Sequence, residues 1–485
     1  MKELIFSSAD RKENYKISKL LQKKKIRKIA ARIYTTNFEE EPAVIIKRNI
    51  LEILGNLYPN AILSHRSAFE FRPTVTDNLF VTYKYTKKVK YPGIIINFLQ
   101  GKSPIEGDNK MIGELFVASE PRRILENLQQ TKKTGPDSKT LSISQVEEKL
   151  DDILRIKGKS GLNDLRDRAR QISTILGMNK EFEMLDKIIG ALYSTKPSKI
   201  LKSDIALSRS LGFPYDKYRI EIFEILFNHL HNRTFPDYPE NNVTIKSFRN
   251  FAFFEAYFSN YIEGTTFEVS EAKAIVDSGI PLPARTGDSH DVLGTYQLVS
   301  DNNEMKKVPK TEDEFIKLLQ ERHYILLSSR IDKHPGEFKS KNNRAGEPHF
   351  VDYKLVRGTL MRGFNFYNVL VNSFARAAFI MFIVSEVHPF EDGNGRIARV
   401  MMNAEFVNQN QCRIIIPTVY RDDYLLTLRK LTREKDPAAY VDMLLKAHKF
   451  SANLQTNDYN ELNIYLKGHN AFYESDSGRR LLIGE

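Results

Sequence analysis

The stretch from Asn372 to Val407 constrains this 485-residue chain most, because it joins two apolar segments through HPFEDGNGRIAR at residues 388–399. NSFARAAFIMFIVSEV (372–387) is apolar on nearly every side, which predicts a helix enclosed by other helices. RIARVMMNAEFV (396–407) predicts a second helix, with Ile397, Val400 and Met401 facing a core. A chain with a segment of the first kind has to surround it, so a helical bundle is expected. The loop between them carries a histidine, two acids, a Gly-Asn-Gly turn and two arginines, a mixture that packing alone does not require.

Chemically, the loop describes a polyphosphate cradle. Gly393 and Gly395 permit backbone conformations that other residues resist, so successive N–H groups can point at an anion where the second helix and its positive dipole begin. Arg396 and Arg399 lie three apart in the first turns and reach one side, as two guanidinium forks above that site. An acid there would repel the ligand unless a cation intervened, so Asp392 is expected to hold magnesium shared with phosphate oxygens, while Glu391 points elsewhere. His388 is placed to take a proton from a nucleophile attacking the bound phosphate chain. Pro389 fixes the turn, and Phe390 anchors the loop. Taken singly, a histidine at a helix end is an ordinary capping residue and Gly-Asn-Gly a good turn. Two arginines early in a helix, however, oppose its dipole unless they serve a ligand. GKSG at Gly158 and GKSP at Gly101 are no rival phosphate loops, because Ile153 and Ile96 stand where a Walker loop has its first glycine.

The chain is longer than one hydrophobic core usually serves, so two or three domains are expected. A hydrophobic share of 41% with 28% charged residues is ordinary for soluble globular protein. No run reaches the roughly eighteen apolar residues of a membrane span, and MKELIFSSADRKENYK lacks the apolar core of a signal peptide. A single cysteine, Cys412, forms no internal disulfide, which fits the cytoplasm. The net charge of +12 includes a block at DRKENYKISKLLQKKKIRKIAAR, which makes polyanions plausible partners; the plainer reading is a solvated helix face.

Composition shifts set the expected boundaries. Residues 1–128 mix helical patterns with the β-branched runs RIYTT, LFVTYKY and GIIINFL, an α+β unit; the polar 129–142 is expected to be a linker. Residues 143–204 form a helical connector, 205–310 a helical region ahead of the motif including the expected inhibitory helix, 311–450 the core that carries it, and 451–485 a C-terminal tail whose end, SDSGRRLLIGE, is polar and mobile. The expected fold class is therefore mainly α with a small α+β domain at the N-terminus.

HPFEDGNGRIAR matches the Fic family signature, H-P-F-x-(D/E)-G-N-G-R-x-x-R, at every specified position, and the chain resembles that family over roughly residues 205–450. The resemblance implies a Fic-type helical bundle with a β-hairpin flap and an adenylyltransferase that moves AMP from ATP to a protein hydroxyl. It implies His388 as general base, Asp392 as magnesium ligand, and Asn394 with the backbone of Gly393 and Gly395 orienting the α- and β-phosphates. Arg396 would stabilise charge on the pyrophosphate, and Arg399 would reach the γ-phosphate. SNYIEG places Ser259 and Glu263 one helical turn apart ahead of Gly264, and resembles the family's (S/T)-x-x-x-E-(G/N) inhibitory helix in a class II-like arrangement. By that resemblance Glu263 pairs with Arg399 and occupies the γ-phosphate position. The loop from His334 to Asp352 resembles the flap on which an extended segment of a protein target, or of the chain itself, would dock; an ordinary surface loop is the alternative. Related proteins often pair, so a homodimer is among the expected partners.

LLQKKKIRKIAARIYTT, YPNAILSHRSAFEF and GELFVASEPRRILENL resemble the start of AbiEi-type antitoxin and regulator proteins, in which a winged helix-turn-helix precedes an α+β domain. Arg32 and Ile33 stand where that wing has glycine before its tyrosine, here Tyr34, and few residues precede the pattern. A recognition helix is therefore in doubt, although Lys23, Lys24, Lys25, Arg27 and Lys28 could contact nucleic-acid phosphates without reading bases. Two other readings stand beside AMP transfer: a Fic enzyme that removes AMP or moves another phosphate-linked group, and a DNA-binding regulator or fused toxin and antitoxin whose Fic part senses nucleotide.

Overall fold

The computed structural model describes residues 2–7, 10–132, 135–193, 200–241, 243–343, 350–455 and 457–483. It divides into two compact units, Met1–Gly212 and Phe213–Glu485. The chain is mainly α-helical, with its β-structure concentrated in the first unit. No helix among the described residues is long and apolar enough to cross a membrane.

The second unit is built around the helix Ser373–Val387, in which every residue except Arg376 and Ser385 is buried. Asn372 caps it, its side-chain oxygen accepting from the Ala375 N–H at 3.1 Å. The motif helix Asn394–Asn408 packs along it. Helices Lys217–His231, Ile245–Ile262, Glu312–Leu327, Val356–Val369 and Pro437–Ala452 contribute to the same core. Helix Thr286–Val299 crosses Glu312–Leu327 at Gly294, where a Cβ would fall 2.1 Å from the Leu326 carbonyl oxygen. Only glycine allows that approach, which brings Asp291, one turn earlier, beside the motif.

The described residues of 451–485 hold more structure than a plain C-terminal tail. They carry the helix Tyr459–Gly468, and Leu454, Leu462, Leu466 and Ala471 are buried against Phe251, Phe253, Phe254 and Phe258. A few apolar residues at helical spacing suffice here because the aromatic face that receives them is large.

In the first unit, strands Leu4–Phe6, Arg27–Ala30 and Ile33–Thr35 form an antiparallel sheet with the third strand central. The helix Arg11–Gln22 lies between the first two strands in sequence, capped by Asp10 accepting from the Lys12 N–H at 2.8 Å. A mixed six-stranded sheet follows, in the order Lys87–Tyr91, Ile94–Gln100, Asn78–Tyr83, Ile62–Leu63, Phe116–Val117 and Asn109–Lys110. RIYTT, LFVTYKY and GIIINFL supply three of these strands because their alternate residues, such as Ile94, Ile96 and Phe98, face one core. Within 129–142, the Arg66 guanidinium donates to the carbonyls of Gly135, Pro136 and Ser138, and the Leu141 N–H donates to Asn127, so the described part of this stretch is stitched to its unit rather than extended. The GKSG string falls inside the long helix Ile143–Leu176, which kinks at Gly158.

Candidate active site

The helix Ser373–Val387 ends without a glycine. His388 takes the left-handed conformation itself, φ 51° and ψ 61°, which costs about 1–3 kcal/mol and marks a position held by its surroundings. Gly393, φ 72°, makes the second reversal, and the motif helix starts at Asn394. Two sharp turns within six residues thus fold the loop back on its own helix ends.

Asn394 closes the loop. Its Oδ1 accepts from the Phe390 N–H at 2.9 Å, and its Nδ2 donates to the Phe390 carbonyl at 3.0 Å. Both ends of the amide are therefore engaged in shaping the loop. Phe390 is fully buried and stacks face to face on His323, ring centroids 3.6 Å apart. His323 holds two segments at once: Nε2 meets the Asp392 carbonyl at 3.1 Å, while Nδ1 accepts from the Gly336 N–H at 2.9 Å. That pattern requires neutral imidazole, and burial pushes His323 down to about 4.

The two arginines are buried and point to different partners. Arg396 Nη1 lies 2.9 Å from Asp291 Oδ2 and 3.4 Å from Asn260 Oδ1, with Nη2 3.5 Å from Asp392 Oδ1. Its Nε has no partner among the described residues. Arg399 donates from Nε to Ser259 Oγ at 2.9 Å, and from Nη2 to the Ser259 carbonyl at 2.8 Å and Glu263 Oε1 at 2.7 Å. Its Nη1 reaches the Tyr424 hydroxyl at 3.4 Å.

Glu263 follows the last turn of helix Ile245–Ile262, and Gly264 comes next with φ 97°. The carboxylate lies over the start of the motif helix: a Cβ on Gly395 would fall 2.1 Å from Glu263 Oε1. The two helices run antiparallel in register. Asn403 donates to Glu255 at 2.8 Å, Arg399 meets Ser259, and Glu263 covers Gly395, in steps of four residues on each side. A carboxylate thus already sits at the helix N-terminus and the arginine expected for phosphate.

His388 and Glu263 line one cavity of about 220 Å³ with Phe350, Gly395, Arg399 and Tyr424. The Phe350 ring stacks on the imidazole, centroids 3.7 Å apart and planes 11° from parallel. Burial, and after it the Lys339 charge, push His388 down to about 4, so the imidazole is neutral near pH 7. Burial would raise Asp392, but Arg396, the Gly393 N–H, Lys333 and Arg330 outweigh it and hold the carboxyl below its ordinary value.

No three His, Cys, Asp or Glu residues gather into a metal cluster among the described residues. Asp392 offers a single ionised carboxylate, its side chain 39% exposed. That suits magnesium, which completes its shell with water and phosphate oxygens rather than a protein cage. Of the loop 334–352, residues 344–349 lie outside the described residues, and the described ones form no strand, so the expected hairpin is not seen in them.

Every motif residue singled out from sequence, together with Ser259 and Glu263, is found within this one region. The sequence reading missed Asp291, Asn260, His323, Lys339, Phe350 and Tyr424. Asn260, beside Ser259, and Lys339 and Phe350, within the loop from His334 to Asp352, lay in stretches already singled out, whereas Asp291, His323 and Tyr424 did not.

Residues 314–405 match the Fic/DOC family model. The Caenorhabditis elegans protein adenylyltransferase fic-1 is 26% identical over 208 residues, 42% of this chain and 39% of that protein. The Drosophila melanogaster protein adenylyltransferase Fic is 27% identical over 207 residues, 42% of each. The chain spans about two fifths of the length of the curated relatives it matches. Among solved structures, C. elegans Fic-1 aligns with a TM-score of 0.36 and 15% identity, covering 72% of this chain and 88% of that one. A Fic domain-containing signalling protein from Bacteroides thetaiotaomicron aligns with a TM-score of 0.35 and 18% identity, covering 52% and 91%. This chain carries a Fic/DOC family domain, and the curated proteins it matches are named protein adenylyltransferases.

Proposed function

We propose that the second unit transfers AMP from ATP to a protein hydroxyl, with Glu263 as a built-in brake. The observation that carries the reading is the Glu263 carboxylate lying between Gly395 and Arg399: the site accepts an anion, and an internal one fills it. His388 takes the proton of a Ser, Thr or Tyr hydroxyl, whose oxygen attacks the α-phosphorus. The bond to the β-phosphate breaks and pyrophosphate leaves. The Gly393–Gly395 backbone and Arg396 hold the phosphates, Arg399 waits for the γ-phosphate, and Asn394 acts by keeping the loop closed. Asp392 is the residue that would hold magnesium, which neutralises phosphate charge when bound. The target segment docks on the loop 334–352, whether it belongs to another protein or to this chain.

The test is labelling of protein by ATP carrying the label at the α- or the γ-phosphate. Glu263→Gly raises α-label incorporation, and γ-label is not incorporated. Equal α-labelling by wild type and variant refutes the brake, and γ-labelling refutes AMP transfer. Release of AMP from a pre-labelled protein instead identifies the removing enzyme.

A second reading concerns the first unit, which we infer is an AbiEi-like module that touches DNA. Lys12, Lys16, Lys19 and Lys23, spaced four, three and four residues apart, line one exposed face of the Arg11–Gln22 helix and its cap, and Ile17 is buried on the other side. A helix fits the major groove of B-form DNA but not the narrow one of A-form RNA. In a salt titration with a nonspecific duplex, Lys16→Glu with Lys19→Glu lowers the slope by about two. No binding even at low salt removes the reading.

A further inference from the structure

The loop 334–352 is anchored on the motif at both of its described ends. Lys339 donates its N–H to the Pro389 carbonyl, next to His388, at 2.9 Å. Its ammonium donates to Asn343 Oδ1 at 2.8 Å, and Asn343 Nδ2 donates in turn to the carbonyls of Phe390 at 3.2 Å and Glu391 at 3.4 Å. Lys339 is only 6% exposed, an unusual place for an ammonium. At the far end, Phe350 covers one face of the imidazole.

The charges around His388 do not balance evenly. Glu263 comes from the preceding helix end, Asp392 from the motif loop, Glu386 from the central helix, Arg399 from the motif helix, and Arg429 and Arg433 from helix Arg421–Glu434. Glu263 is paired with Arg399 at 2.7 Å, Glu386 with Arg219 at 2.8 Å, and Asp392 with Arg396 at 3.5 Å. Lys339 is the cation that acts most strongly on the imidazole.

We infer that Lys339 and Phe350 are positioning residues: the Phe350 ring, stacked on the imidazole, fixes the plane of His388 and covers it from water, and Lys339, a buried cation bonded to the Pro389 carbonyl and through Asn343 to the motif loop, holds the other end of the loop against the base. The loop then does more than receive a target segment. It holds the base from both ends. Burial and the Lys339 charge are the two leading causes that lower His388, and burial takes Lys339 itself down to about 8.

The activity consequence rests on His388 being the base, but the titration does not. Full-length protein with 13C-labelled histidine is titrated from about pH 3 to about pH 8 by NMR, with the His388 signal identified by its loss in His388→Ala. In Lys339→Met and in Phe350→Ala, the His388 titration moves upward by about one pH unit. Lys339→Arg and Phe350→Tyr, which keep the charge and the ring, stay near wild type. The remaining histidines, unmoved, report an intact fold. If Lys339→Met does not fold, Phe350→Ala decides.

An unmoved His388 signal in the folded variants overturns the proposal. The acid limb of AMP labelling is then measured in a Glu263→Gly background. A limb that follows the NMR titration supports both ideas, whereas a moved titration with an unmoved limb keeps the positioning role and rejects His388 as base.

Discussion

Removing the Glu263 carboxylate should change the binding of ATP and leave that of ADP nearly untouched. In the unliganded protein the Arg399 guanidinium already has Ser259 Oγ, the Ser259 carbonyl and the Tyr424 hydroxyl, all of which survive Glu263→Gly. The variant loses one charge-assisted bond of 2.7 Å to a carboxylate whose side chain is 35% exposed. Between the near-zero value of surface pairs and the several kcal/mol of buried ones, about 1 kcal/mol of stability is expected to go. The Arg399 contact is then open to a γ-phosphate, and a hydrogen bond to a charged group contributes about 1.5–3 kcal/mol. Calorimetry with magnesium present should therefore show wild type binding ATP and ADP about equally. Glu263→Gly should prefer ATP by about tenfold or more. Because both nucleotides share the α- and β-phosphates, the ratio isolates the third. An ATP-to-ADP ratio unchanged by the substitution would refute the assignment of Arg399 and the idea that Glu263 fills the γ-phosphate position.

Gly395→Ala provides the converse test. The added methyl would lie 2.1 Å from Glu263 Oε1 and 3.1 Å from Arg399 Nη1, so the flexible carboxylate has to swing away. The fold survives with a loss of about 1 kcal/mol, yet α-labelling does not rise, because the methyl stands where phosphate would. Strong activation of Gly395→Ala would place the ligand elsewhere. A second expectation concerns acid stability. His323, His388 and His448 are all lowered to about 4, chiefly by burial. The unfolded chain binds more protons than the native one between about pH 6.5 and pH 4. Stability is thus fully present above that window and falls through it on acidification. His323→Phe, which keeps the stack on Phe390, should flatten the decline seen in denaturant midpoints; an identical slope would show that His323 is not neutral in the native state.

Much of the site was legible because its information is local. HPFEDGNGRIAR places a turn, a helix start and two guanidinium groups within twelve residues, and the flanking helices follow from their apolar periods. The partners of those residues were hidden for the opposite reason. Asp291 reaches Arg396 across about a hundred residues of sequence, and only the close helix crossing at Gly294 puts it there. His323 looks in sequence like any helical histidine; its role exists only once Phe390 and Gly336 converge on it. The fold of 451–485 was missed because composition averages over the positions that matter: Leu462 and Leu466 lie one turn apart on a polar segment, and the aromatic face that receives them is two hundred residues away.

The register between the two helices bears on how the proposed brake would be released. One route withdraws the helix Ile245–Ile262; the other swings only the side chain at its end. Withdrawal would part Glu255 from Asn403 at 2.8 Å and from Arg413 at 2.7 Å, with Glu255 and Arg413 both buried and Arg413 stacked between Phe248 and Phe251. Separating a buried pair of that kind costs about 3–5 kcal/mol. Swinging Glu263 costs only the half-exposed contact to Arg399, about 1 kcal/mol. On the proposed reading, a nucleotide displaces the side chain and leaves the helix in place. Hydrogen exchange on Glu263→Gly should show the amides of 245–259 as protected as in wild type, with any loss confined to 260–264. Arg413→Met, which strips Glu255 of its partner, should lower stability by about 3–5 kcal/mol. It should also raise α-labelling of the otherwise wild-type chain, by loosening the register that aims Glu263. Exchange spreading through the whole helix in Glu263→Gly, or an Arg413→Met protein as silent as wild type, would mean that the anchor at Glu255 does not aim the carboxylate.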